Sequence, residues 1–344
     1  MSKMGSTRNN GMYRPLLATR LERIVAICLI VALAVVSQFL NEYLLALITQ
    51  ITIFALAGMG LNLLMGNTGL ISIAHAAFMG VGAFSSAYLI QNIGMPVLPA
   101  ILLAGLIAAV IGVMFGLPSL RLKGVYLAMS SFAAQIILYW AFEQSRWLTG
   151  GQDGRFVDRP TILGVSFFES THYFLFALHI TVIGAIVNLN ILRSRLGRSF
   201  AAVRERALAA EIMGINVFRA KMLAFGLSTF YAGVAGALFG FYLEFVAIQA
   251  FTLFVSIQLL AMVIIGGLGR LSGSVLGAMF IVLIPELLDE IMMLMSTKPA
   301  EVAPIRLGIF GLLVVVILIY EPHGLARTWR RLIEWGLARL GANR

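Results

Sequence analysis

Four polar side chains sit where so apolar a stretch should not carry them. Asn62, Asn67, Ser72 and His75 lie within residues 60–80, GLNLLMGNTGLISIAHAAFMG, between and inside apolar runs. A polar group at membrane depth is costly, so it turns toward the interior of a helix bundle or toward a water path. Two kinds of chemistry follow: hydrogen bonds that pack helices together, and contacts to a solute in transit. The spacing leaves both open. Metal binding does not fit, because no second ligand lies at a plausible spacing from His75. Asn67-Thr68-Gly69 reads as a turn at the end of an apolar run.

A second segment, Ser199 to Asn216, is SFAAVRERALAAEIMGIN. Ser199 is placed to cap a helix start and Gly214 to end it, with Asn216 continuing the turn. Phe200, Val203, Ala207 and Ala210 recur at helical spacing, while Arg204, Arg206 and Glu211 point elsewhere. The spacing predicts one short amphipathic helix over 199–214, which either lies in a lipid interface or docks on a soluble partner. A third segment, Ile264 to Gly277, is IIGGLGRLSGSVLG. It is a Gly-rich turn without Gly-Lys-Ser/Thr, so it is not a phosphate loop. Its composition is like that of residues 66–72, as in a weak internal repeat of the kind many transporters carry.

The elements that must hold these segments are set by composition. Of 344 residues, 60% are hydrophobic and 12% charged, against about 25% charged in an average soluble domain. Mean hydropathy is +0.95. An ordinary soluble enzyme, a disordered chain and a strand-alternating outer-membrane barrel are all disfavoured. The fold class is an all-α, polytopic helical membrane protein. A span needs about 20 mostly apolar residues, and apolar runs fall at about 24–40, 44–65, 71–91, 97–117, 124–142, 173–192, 221–243, 250–267, 273–294 and 305–320. The run at 71–91, rich in Gly, Ala and Ser, reads either as a full span or as a broken, partly re-entrant one.

Charge tests the count. With ten alternating spans and both ends in the cytoplasm, 20 of the 25 Lys and Arg fall inside, as orientation by basic loops requires. The net charge of +10 is therefore topology, not a nucleic-acid signal. The chain divides into a basic N-terminal segment (1–23), a membrane region (24–320) with an inner loop at 193–220, and a basic tail (321–344). In the tail Leu332, Trp335 and Leu340 would face lipid and Arg330, Arg331 and Arg339 the headgroups. The first run reads as a retained span, not a cleaved signal. The single cysteine, Cys28, precludes an intramolecular disulfide. Two Gly-dense regions, Gly58 to Gly82 and Gly233-Gly236-Gly240, suit close helix packing in a bilayer. A long outer loop, 143–172, mixes charge, Gly and aromatics. Glu244, Glu286, Asp289 and Glu290 sit toward outer ends, where a proton-coupled carrier would keep few of its carboxylates.

These segments also resemble a known family. Gly60 to Phe84, Arg204 to Asn216 and Gly266 to Gly277 together are similar to the permease subunits of branched-chain amino acid ABC importers, over roughly 45–320. The family commonly has Gly where this chain has Ala74. Leu208-Ala209-Ala210-x-x-x-Gly214 resembles the Glu-Ala-Ala-x-x-x-Gly coupling element, with Leu208 in place of the Glu. The resemblance implies a coupling helix carried by Arg204, Glu205, Arg206, Ala209, Ala210 and Gly214, and a path whose candidates are Asn62, Asn67, Ser72 and His75. It implies a second homologous permease subunit, two cytoplasmic ATP-binding subunits and a periplasmic binding protein as partners, in the bacterial inner membrane among lipid. No cofactor, metal, nucleic acid or catalytic site is expected of this chain, since ATP is hydrolysed by the partners. The substrate implied is a branched-chain or related amino acid; urea, short amides or aromatic acids are the alternative within the class. A stand-alone secondary transporter is the remote alternative. A channel or an intramembrane enzyme is disfavoured: there is no Asn-Pro-Ala pair, His-Glu-x-x-His, Gly-x-Ser-x-Gly or paired aspartate.

Overall fold

The computed structural model describes residues 32–119, 125–151, 154–157, 161–162, 165–166, 169–294, 299–321 and 324–328. The N-terminal segment, residues 24–31 of the first apolar run including Cys28, and the tail residues Arg330 to Leu340 lie outside the described residues. Residues 32–40 belong to a separate unit from Asn41–Arg344; they are helical over 32–36, then a 3-10 turn, Ser37–Phe39.

In the main unit the helices are α1 (Glu42–Thr68), α2 (His75–Ile93), α3 (Val97–Ser119), α4 (Val125–Gln144), a single turn α5 (Arg146–Thr149), α6 (Ser170–Arg193), α7 (Arg195–Glu205), α8 (Ala207–Ile212), α9 (Val217–Leu243), α10 (Leu253–Gly266), α11 (Leu271–Leu294) and α12 (Pro299–Tyr320). Every apolar run from 44 onward thus contains a helix. Among the described residues six segments are long and apolar enough to cross a bilayer: 42–68, 97–118, 170–193, 217–243, 248–266 and 271–292. The protein is a polytopic helical membrane protein.

Burial sorts the helices into centre and rim. In α1 and α9, 72% of the most apolar window is buried inside the protein, against 28% in α6. Around that centre the rim helices keep large apolar side chains exposed: Leu102, Leu106 and Val110 on α3, Ile183 and Ile186 on α6, Leu312, Val315 and Ile319 on α12. Helices apolar on all sides need lipid as their outer solvent. Inside, small residues replace hydrophobic drive. The two Gly-dense regions seen in the sequence are two sides of one contact. A Cβ on Gly82 would lie 2.0 Å from the Gly233 carbonyl oxygen, and one on Gly236 would lie 1.9 Å from the Met79 oxygen. Only glycine permits the α2 and α9 backbones to meet so closely.

The loop at 143–172 is more ordered than its composition suggests. It carries α5 and two short antiparallel ladders: Arg155–Phe156 pairs with Phe245–Val246 beyond α9, and Thr161–Ile162 pairs with Val165–Ser166. Arg155 also bonds the Gln91 and Asn92 side chains at the end of α2, and its guanidinium stacks over Tyr88.

Candidate functional site

The polar residues singled out from sequence fall into two clusters. The first is at the start of α2. After Thr68 the chain does not turn directly into the next helix. Residues 69–74 run without helix, with Leu70, Ser72 and Ala74 buried and Ile71 41% exposed. Helix begins again at His75, whose Nε2 lies 3.0 Å from the Ala57 carbonyl oxygen. Ala57 is eleven residues back from the end of α1, about 16 Å along its axis. The run at 71–91 is therefore broken, and α2 starts about midway along α1.

A helix start buried there leaves backbone N–H groups without intrahelical acceptors. Other helices supply them. The Ala76 N–H donates to Ser256 Oγ (2.9 Å), the Ala77 N–H to Gln135 Oε1 (3.1 Å), and the Ile73 N–H to Ser131 Oγ (2.9 Å). The Ser256 hydroxyl donates in turn to Gln135 Oε1, and Gln135 Nε2 donates to the Phe251 carbonyl. His75, Gln135, Ser131 and Ser256 are all buried. Sequence reading missed Ser131, Gln135 and Ser256. A lone Gln in the apolar α4 run was the available signal.

The second cluster is at the other end of α1, centred on Asn62. Its Nδ2 donates to the Arg270 carbonyl (2.7 Å) and to Ser274 Oγ (3.2 Å), with the Gly267 oxygen at 3.4 Å. Its Oδ1 accepts from the Gly269 N–H at 2.7 Å. Asn67 Nδ2 donates to the Asn62 carbonyl at 3.3 Å. The two Gly-rich turns that looked alike in composition thus meet face to face. A Cβ on Gly66 would stand 2.2 Å from Gly269 N. The cavity here, lined by Asn62, Asn67, Asn188, Arg270 and Ser274 among others, has a volume of about 10 Å³, room for roughly one water molecule. Asn62 and Asn67 do not border an amino-acid-sized opening in this conformation. The structure does not bring them together with His75: Asn62 and Asn67 serve the two Gly-rich turns, His75 the helix start.

The amphipathic segment departs from its expected outline. It is two helices, α7 and α8, separated at Arg206, whose backbone is extended (φ −154°, ψ 102°). The cap is Ser194, whose side chain accepts from Leu196 N–H; Ser199 lies inside α7 and bonds the Arg195 carbonyl. Gly214 does end the segment, in the left-handed region (φ +84°). Asn216 caps the next helix through the Arg219 N–H rather than extending the turn. Phe200, Val203 and Ala210 are buried as the spacing predicted. Glu205, Arg206, Ala209 and Glu211 are exposed. So are the large apolar side chains Leu208 (75%), Ile212 (87%) and Met213 (81%). Arg204 is exposed as well, but its guanidinium donates to the Gly66 carbonyl.

A family model described as the permease component of branched-chain amino acid transport systems matches residues 43–318. The chain belongs to that family. These proteins are ABC permease subunits, and the permease is a transport protein rather than a member of a known enzyme class. It is 31% identical over 304 residues to the high-affinity branched-chain amino acid transport permease LivM of Salmonella typhimurium, covering 80% of this chain and 68% of that protein. Identity to Escherichia coli LivM is 30% over the same shares. An autoinducer 2 import permease, LsrC of an Enterobacter species, is 28% identical over 250 residues, 70% of this chain and 69% of its own. No solved structure matches the chain. Among the described residues no group of His, Cys, Asp and Glu is placed to hold a metal ion.

Proposed function

We propose that this permease forms the membrane path of an importer for branched-chain or closely related amino acids. It acts as one of two homologous membrane subunits, coupled to two cytoplasmic ATP-binding subunits and fed by a periplasmic binding protein. The LivM relatives support the substrate class. The same scaffold in LsrC relatives is named for a different solute, so the choice of solute is assigned mainly to the binding protein. The chain crosses the bacterial inner membrane ten times with both ends inside, a topology that rests on the inward bias of Lys and Arg. In that frame the Asn62 cluster and α7–α8 lie at the cytoplasmic end, and the Arg155 cluster at the outer end.

The observation that carries the reading is the face of α8. Leu208, Ile212 and Met213 project from a segment that buries Phe200, Val203 and Ala210. They are flanked by the charges of Glu205, Arg206 and Glu211, a pattern that fits a groove on a soluble partner. The test is co-purification in mild detergent. Ile212→Glu, which puts a charge at the most exposed apolar side chain of the segment (87%), should strip the ATP-hydrolysing subunits from the tagged chain while the second permease stays. Retention of those subunits at the unaltered stoichiometry would remove α8 as the docking face.

A further inference from the structure

We propose that Arg204 is a positioning residue directed at this chain's own interior. It ties the amphipathic segment to the Asn62 cluster, so that displacing the segment moves the inner ends of three spans together. This rests on reading α7–α8 as the docking segment for the ATP-binding subunits, and adds how its motion is passed on.

Gly66 is the third residue from the end of α1, so its carbonyl has no partner within the helix. The Arg204 guanidinium takes that carbonyl, where a positive charge also meets the negative end of the helix dipole. The contact does not stop there. A Cβ at Gly69 would lie 3.5 Å from Arg204 Cγ, and one at Gly269 would lie 3.2 Å from an Arg204 guanidinium nitrogen and 3.0 Å from the Gly66 oxygen. Gly66 and Gly269 touch backbone to backbone, with no side chain between them to absorb a shift. Asn62 then holds both strands of the 267–274 turn, through the Gly269 N–H, the Arg270 carbonyl and Ser274. From that turn α10 departs in one direction and α11 in the other. The chain beyond α12 joins too: a Cβ at Gly324 would lie 2.5 Å from Gly267 Cα.

The division of side chains on the segment matches two jobs. Leu208, Ile212 and Met213 face outward and are exposed. Arg204, one turn earlier, reaches the bundle. A docking arginine would have its head group aimed at the partner; this one is placed on a carbonyl of its own chain. The coupling it provides should fall in the range of other site-to-site couplings, about 5–150-fold.

The experiment uses the complete importer in liposomes, with its binding protein and leucine, and reads leucine taken up per ATP hydrolysed. Co-purification of the subunits and the elution profile in detergent are measured on the same preparations. With Arg204→Ala the ATP-binding subunits should still co-purify and uptake per ATP should fall at least about fivefold. Arg204→Lys, which keeps one donor for the carbonyl, should recover part of the loss. Gly269→Ala crowds the same contact from the other side and should lower the same ratio, so the test survives if Arg204→Ala does not fold. An unchanged ratio in Arg204→Ala would overturn the proposal. So would loss of the ATP-binding subunits in that variant, which would make Arg204 a docking residue and leave the docking reading of the segment intact. If Ile212→Glu also keeps those subunits bound and the ratio unchanged, the docking reading fails as well.

Discussion

Replacing Gln135 with Leu tests whether α2 starts at depth because other helices cap it. The change is close to volume-conserving, so packing is largely kept while three hydrogen bonds disappear. The Ala77 N–H loses its acceptor, the Phe251 carbonyl its donor, and the Ser256 hydroxyl its acceptor. Gln135 is 1% exposed, so no outside water replaces it directly. An unsatisfied buried backbone group costs about 1–3 kcal/mol, while single interhelical bonds in membranes average about 0.6 kcal/mol. Two stranded backbone groups and one hydroxyl therefore give about 2–4 kcal/mol. For a chain of this size that is a fall of roughly 3–6 °C in melting temperature, read by thermal unfolding in detergent. Ser256→Ala removes the Ala76 contact and shares one bond with Gln135, so the double variant should cost less than the sum of the singles. A Gln135→Leu protein that melts within about 1 °C of the parent and transports normally would refute the argument that these side chains hold the helix start.

Gly236→Ala should cost about 3 kcal/mol or more, because the new Cβ would stand 1.9 Å from the Met79 carbonyl oxygen; failure to elute as a single species in detergent checks it. Gly214→Ala should be mild by comparison. Its Cβ would meet nothing within 4 Å, so the cost is the left-handed backbone alone, about 1–2 kcal/mol, seen as a melting shift of a few degrees with subunit co-purification intact.

Much of the fold was legible because apolar runs of membrane length leave little choice. The run at 97–117 became Val97–Ser119 and that at 273–294 became Leu271–Leu294. The break before His75 was visible only as an ambiguity, since its cause lies elsewhere in the chain. A helix can start at that depth because Ser131, Gln135 and Ser256 supply acceptors, scattered polar residues of two apolar runs far along the chain. Nothing in Arg204-Glu205-Arg206 breaks a helix locally; the extended backbone at Arg206 is a tertiary effect that overrides propensity. It lets Phe200, Val203 and Ala210 be buried while Leu208 and Ile212 stay outside. Asn62 was recognised as a polar residue that mattered, but spacing could not separate packing from solute contact. Its partners lie more than 200 residues away.

The two Gly-rich turns begin alike and end differently, and the difference bears on where a path would run. After Gly269 helix resumes at once with Leu271. After Gly69 five residues climb back along α1 before His75. Several polar groups around that climb are committed: Ser131 and Gln135 cap the helix start, Asn62 pins the turns, and His75 Nε2 meets the Ala57 carbonyl, while His75 Nδ1 is buried without a partner among the described residues. Burial alternates along this stretch: Leu70, Ser72 and Ala74 are buried, Ile73 is half-buried and Ile71 is exposed. A path between two permease subunits would therefore meet Ile71 from this segment, with Ser72 and His75 behind it. Cysteine substitution in a Cys28→Ser background separates the positions. In the isolated chain in detergent, Ile71→Cys should react with a small maleimide at least about tenfold faster than Ser72→Cys or His75→Cys, because only an exposed thiolate is reactive. Equal rates at 71 and 72 would refute the alternation, and with it the reason for moving the path from the polar residues to Ile71.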